Sequence, residues 1–213
     1  MRSKFDEQLA LLNRDLTKMG SLCEEALALA AKALANADGE TAAKIAPIDS
    51  EIDQMERTIE SLCLKLLLQQ QPVARDLRQI SAALKMITDM ERIGDQASDI
   101  AEIIGFLNGR IGSDAQYICQ MAVAAMRMVT ESVEAYVKRD VAMAEATIQH
   151  DDVVDDLFLK VKNSLIQMIS ENPKDGEYAL DLLMIAKYFE RIGDHATNIA
   201  EWVVFSVTGV HEQ

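Results

Sequence analysis

The sequence predicts an all-α protein built as two tandem, pseudo-symmetric three-helix bundles, six long antiparallel helices in all. Three observations predict it. The 213-residue chain carries only nine glycines and three prolines, too few punctuating residues for a turn-rich β protein. The breaks that do occur leave stretches of roughly 30 residues with apolar side chains at i, i+3, i+4 and i+7. The second half of the chain also repeats the first.

Taken in order, the first segment runs from the N-terminus to the break at Ala37-Asp38-Gly39. The second ends at Gln71-Pro72. Pro47 lies inside it and predicts a kink or a restart, because proline lacks the N–H and crowds the preceding turn. The third shows the pattern most plainly in Leu77, Ile80, Leu84 and Ile87; a helix of this length spans about 45 Å. It stops at Asn108-Gly109-Arg110-Ile111-Gly112, where two glycines and no apolar cluster mark the boundary between a unit 1–109 and a unit 110–213. The fourth segment ends at Arg139-Asp140, the fifth at Asn172-Pro173-Lys174-Asp175-Gly176, and the sixth fills the remainder.

Residues 91–102 read ERIGDQASDIAE and residues 190–201 read ERIGDHATNIAE, identical at nine of twelve positions with an offset of 99. Upstream the offset is 102, pairing Met19 with Met121, Asp38 with Asp140, Asp49 with Asp151, and Asp53 with Asp155. A loop shorter by three residues before the last helix accounts for the change.

The net charge of −14 argues against phosphate-backbone attraction, so nucleic acid is not an expected partner. It equally disfavours direct adhesion to an anionic membrane, leaving membrane association to partners. Cys23, Cys63 and Cys119 lie in helical apolar patterns and read as small core residues in a reducing compartment. The charged start Met1-Arg2-Ser3-Lys4-Phe5-Asp6-Glu7 is unlike a secretory signal, and no run of about 18 apolar residues occurs. A cytoplasmic protein is expected.

Each unit carries two acidic pairs at i, i+4, a spacing that sets both carboxylates on one helix face. They are Asp49 with Asp53 and Glu91 with Asp95, then Asp151 with Asp155 and Glu190 with Asp194. At 100° per residue, Leu77, Ile80, Leu84 and Ile87 lie within about 40° of Glu91, so the acids continue the apolar stripe. Ala179, Leu183 and Ala186 lead to Glu190 in the same way. Carboxylates turned towards neighbouring helices must be neutralised by protonation, basic side chains or metal. Oxygen ligands favour hard cations such as iron, manganese, magnesium or calcium, and zinc also accepts carboxylates. The plain alternative is solvated charge paired in part with Arg92 or Arg191. Asp99 and Asn198 fall on the same face as further candidate ligands. Gly94 and Gly193 sit between the acids of their pairs, either to admit a helix or cation or simply to allow a tight crossing. Phosphate-loop, nucleophile-elbow and ExxH signatures are absent, so no enzyme activity is expected and no catalytic residue is assigned.

The doubled ERIGD motif with its following AxxIAE, the upstream DxxxD pairs and the segment Pro72-Val73-Ala74-Arg75-Asp76-Leu77-Arg78 resemble the PhoU family of bacterial phosphate-uptake regulators, over nearly the whole chain. The resemblance implies two three-helix bundles with multinuclear metal clusters on Asp49, Asp53, Glu91, Asp95, Asp151, Asp155, Glu190 and Asp194. Asn198 in place of Asp99 and Phe158 in place of Glu56 suggest that the two sites differ. It also implies a cytoplasmic negative regulator of the phosphate-starvation response and of phosphate uptake. Such a protein links the ATPase subunit of the Pst phosphate ABC transporter to a PhoR-type sensor histidine kinase, and can form a homodimer. Two other readings stay open: a carboxylate-ligated metalloenzyme, as an oxidase or phosphohydrolase, and a metal-storing helical scaffold.

Overall fold

The structure, a computed structural model, describes residues 2–69, 73–107, 109–110 and 115–210. The first half forms α1 (Arg2–Asn36), α2 (Gly39–Ala42), α3 (Ile45–Gln69) and α4 (Ala74–Phe106). The second forms α5 (Gln116–Lys138), α6 (Val141–Gln149), α7 (Asp151–Glu171) and α8 (Gly176–Thr208), the last entered through a 3-10 turn at Pro173–Asp175. No strand occurs among the described residues. The breaks read at Gln71-Pro72, and most of that across Asn108 to Gly112, lie outside them.

Matching chemistry ends the first helix of each repeat. Ala37 (φ 49°) and Arg139 (φ 57°) take the left-handed conformation that terminates α1 and α5. The next residue caps the following helix: Asp38 accepts from Glu40 N at 3.0 Å and Thr41 N at 3.2 Å, and Asp140 from Met143 N at 3.0 Å. The second and fifth segments are each split, which adds two short helices to the six long ones expected. Pro47 lies in the first turn of α3, where its missing N–H costs no helical bond, so it restarts the helix. In the second repeat Gln149 occupies the equivalent place and ends α6, capped by His150, whose Nδ1 lies 3.2 Å from Glu131 of α5.

Helix α1 packs on α3 and α4; α5 packs on α7 and α8, and α6 covers α8. The halves meet where α4 crosses α8, the most extensive contact in the molecule, and where α1 lies against α5. One continuous apolar core results. Leu12, Leu16 and Leu27 of α1, Ile52 and Ile59 of α3, Met86 and Met90 of α4 and Phe189 of α8 are fully buried, each worth about 1.5–3 kcal/mol. Met86 and Met90 are therefore core filling. Leu77 is 45% exposed despite its place in the stripe, because it belongs to the first turn of α4. Burial pushes the thiols of Cys23 and Cys63 up to about 12, as inert core residues require. Trp202 stands edge-on to Phe205, with centroids 5.6 Å apart.

The α4–α8 crossing carries a polar seam. Gln96 and His195, equivalent in the two repeats, face each other across it, the Gln96 amide nitrogen 3.1 Å from His195 Nε2. His195 Nδ1 lies 2.8 Å from Asp89 Oδ1. The two ring nitrogens of His195 thus each meet a polar neighbour, Nδ1 the Asp89 carboxylate and Nε2 the Gln96 amide. Asn198 donates to Asp89 at 3.2 Å. The repeat-equivalent pair, Asp99 and Tyr188, also interacts, since burial and then the Asp99 carboxylate raise the Tyr188 phenol. These cross-seam contacts help to hold the two halves in one register, although Gln96 Oε1 itself is buried without a partner among the described residues.

Candidate metal centre

In the first repeat, α3 presents Asp49 and Asp53 one turn apart and α4 crosses it with Glu91 and Asp95. Asp49, Asp53 and Asp95 each bring a carboxylate oxygen within 4.8 Å of the others and could hold a metal ion. Gly94 makes this possible: a Cβ there would lie 2.7 Å from Asp49 Oδ1 and 3.0 Å from Ile52 Cδ1. The glycine is thus a seat for a carboxylate of the neighbouring helix. Ser98 donates to Asp49 Oδ2 at 2.8 Å, whereas Oδ1 is buried and has no hydrogen-bond partner. Such an oxygen lacks compensation unless a proton or cation supplies it. Arg57 reaches Asp53 at 3.4 Å along α3. Burial first, then mutual repulsion, raises Glu91 and Asp95 above the ordinary carboxylate range. The same two causes raise Asp49, against the opposing Ser98 hydrogen bond.

The second repeat builds the same crossing from α7 and α8. A Cβ on Gly193 would lie 3.0 Å from Asp151 Oδ1, so this glycine has the same task. Burial, followed by Asp155, Asp194 and Glu190, pushes Asp151 up to about 6, and burial with Glu190 raises Asp194. Yet among the described residues the close convergence of three acids is found in the first repeat alone. Lys187 forms an ion pair with Glu190 and lies over the Phe158 ring, 5.6 Å from its centroid. Thr197, the equivalent of Ser98, has a buried hydroxyl without a partner, so no donor fixes Asp151 as Ser98 fixes Asp49.

All eight paired acids lie at the two crossings, half-buried or exposed at the edge of the core. Arg92 and Arg191 form no ion pair with them; Arg57 and Lys187 do. Asn198 is engaged with Asp89 and Asp99 with Tyr188, although Asp99 also adds to the repulsion felt by Asp49 and Asp95. Sequence reasoning missed Ser98 and the role of Lys187. The repeat alignment held the signal for both, since Ser98 matches Thr197 and Lys187 matches Thr88. An oxygen-only donor set, an orphaned buried carboxylate oxygen and a glycine seat fit a hard cation in the first cluster.

Fold and site together define a duplicated all-α protein whose repeats each bring carboxylates to a helix crossing. The chain belongs to the PhoU domain family, whose model matches residues 16–104 and 118–203. It is 37% identical over 98% of its length, and 96% of the relative's, to a phosphate-specific transport system accessory protein PhoU homolog of Clostridium acetobutylicum. It is 36% identical to the Synechocystis protein of the same description, over 99% of this chain and 94% of that one. Among solved structures, PhoU from Pseudomonas aeruginosa superposes with a TM-score of 0.92 at 34% identity, covering 97% of this chain and 100% of that one. The phosphate transport system regulatory protein PhoU from Streptococcus pneumoniae does so at 0.89 and 26% identity, covering 98% and 99%.

Proposed function

We propose that this protein is a regulatory accessory component of phosphate uptake whose carboxylate crossings bind hard cations. Its relatives' description as accessory proteins of a phosphate-specific transport system supports the first part. The observation that carries the second is the buried, unpartnered Oδ1 of Asp49, in a carboxylate that gathers with Asp53 and Asp95. We read residues 1–109 and 110–213 as the two repeats, with Asp49, Asp53, Glu91 and Asp95 holding cations in the first and Asp151, Asp155, Glu190 and Asp194 in the second. A bound cation would neutralise the acids at each crossing and hold the paired helices together; no bond-making step is assigned to it.

On this reading the protein works in the cytoplasm as a negative regulator, carrying the state of the Pst transporter ATPase to a PhoR-type sensor kinase rather than acting as an enzyme. Among the described residues no helix is long and apolar enough to cross a membrane. Exposed apolar side chains on α3 and α7, Leu64, Leu68, Leu159 and Ile166, offer faces for docking these partners or a second copy of the chain. Deletion of the gene is expected to leave phosphate-starvation genes expressed in high phosphate. Normal repression after deletion would reject the regulatory reading. Metal-free protein on elemental analysis, after purification without chelator, would reject the cation reading.

A further inference from the structure

The excess of acid makes any unpaired cluster of cations conspicuous, and one exists where α4 begins. Arg75 and Arg78 stand in its first turns and Arg139 ends α5, which is pinned to α4 by a 3.1 Å hydrogen bond from the Tyr136 hydroxyl to Gln79 O. Among the described residues none of the three arginines forms an ion pair. Arg78 Nε is buried without an acceptor among the described residues. Its guanidinium lies beside the end of α8, where a Cβ on Gly209 would come within 3.5 Å of it. Burial and the charges of Arg75 and Arg78 lower Arg139 from its ordinary value, with Tyr136 and Asp76 opposing.

Among the described residues no side chain caps the first turn of α4 either. Val73 at its N-cap offers no side-chain acceptor, and the first helical bond is made by Leu77 N to Val73 O at 2.9 Å, so the N–H groups of residues 74–76 lack helical acceptors. The duplication provides an internal control. Ala37, Lys174 and Glu177 stand where Arg139, Arg75 and Arg78 do, so the fold closes this corner in the other repeat without an arginine cluster.

We propose that Arg75, Arg78 and Arg139, with the uncapped first turn of α4, bind a tetrahedral oxyanion of the phosphate class, as free inorganic phosphate or as the phosphoryl group of a nucleotide. Among the described residues, three guanidinium charges against the neighbouring carboxylate of Asp76 leave about two positive charges, matching a phosphate dianion. A lone carboxylate is already satisfied by one bidentate arginine, whereas three arginines and free helix N–H groups suit an anion with oxygens in several directions. The corner lies about 30 Å along α4 from Asp95, by helix rise, and is independent of the cation reading.

The test is isothermal titration of the full chain, treated with chelator, with inorganic phosphate at constant ionic strength. Parallel titrations use ATP and a glutamate-rich peptide. Saturable phosphate binding is expected, weakened about tenfold or more by Arg78→Gln or Arg139→Gln and abolished by both together, while Lys174→Gln leaves it intact. Phosphate binding without ATP binding assigns the free ion; ATP binding displaced by phosphate assigns the phosphoryl group. Absence of saturable binding of either at millimolar concentration, binding unaffected by the double substitution, or binding of the acidic peptide alone would each overturn the proposal.

Discussion

The two helix crossings are copies that have diverged, and the difference shows what a carboxylate cluster needs beyond its acids. Both keep the paired carboxylates and the glycine seat. In the first, Ser98 fixes one oxygen of Asp49, the other is buried without a partner among the described residues, and the carboxylate gathers with Asp53 and Asp95. In the second, the Thr197 hydroxyl is idle, Lys187 draws Glu190 to itself, and Phe158 and Asn198 replace Glu56 and Asp99. Acids at equivalent positions converge in one copy and remain loosely arranged in the other. Convergence therefore depends on the side chains around the ligands, which orient or divert them.

If this contrast sets cation affinity, the largest effect falls on Asp49→Asn. It should weaken binding at the first crossing on the order of 100-fold, while Asp151→Asn costs clearly less, as read by calorimetric titration with manganese and by elemental analysis. Equal losses for the two variants would remove the proposed asymmetry.

Gly94→Ala and Gly193→Ala should separate the crossings next. Alanine gains about 1 kcal/mol in helix propensity at either site, but its Cβ would stand 2.7 Å from Asp49 Oδ1 in one case and 3.0 Å from Asp151 Oδ1 in the other. Denaturant unfolding is expected to show Gly193→Ala near neutral and Gly94→Ala destabilised by about 1–2 kcal/mol, with weaker cation binding. A stabilised Gly94→Ala protein that binds cations normally would mean that the glycine is not a seat.

The smallest effect is on stability against pH in the chelated protein. Asp49, Glu56, Glu91, Asp95, Asp151 and Asp194 all lie above their ordinary values in the fold, through burial and then neighbouring acids in most of them. The folded chain thus holds more protons than the unfolded one. Stability should be greatest near the unfolded values of about 4 and fall as pH rises through about 6. The Asp151→Asn protein should flatten the upper part of this slope, because Asp151 reaches about 6. Thermal melts that instead gained stability from pH 4 to 6 would contradict the raised values.

The eight paired acids were legible because i, i+4 spacing and internal repetition are properties of the chain itself. Asp38 and Asp140 were legible as breaks for the same reason, since capping is local. Gly94 was ambiguous because its reason lies on α3, not on α4. Ser98, Thr197 and Lys187 are ordinary helix residues until the crossing angle shows which carboxylates they meet. Asp99 and Asn198 lie on the right face, but the opposing half of the molecule claims them first, through Tyr188 and Asp89.

By itself the sequence determined an all-helical, duplicated chain with its acids in register, because periodicity, caps and repeats act within a few residues. Only the tertiary structure decided that the first crossing gathers its carboxylates, that Gln96 meets His195 across the seam, and that three arginines share one corner. These are contacts between residues tens of positions apart, fixed by how long helices pack rather than by any local signal.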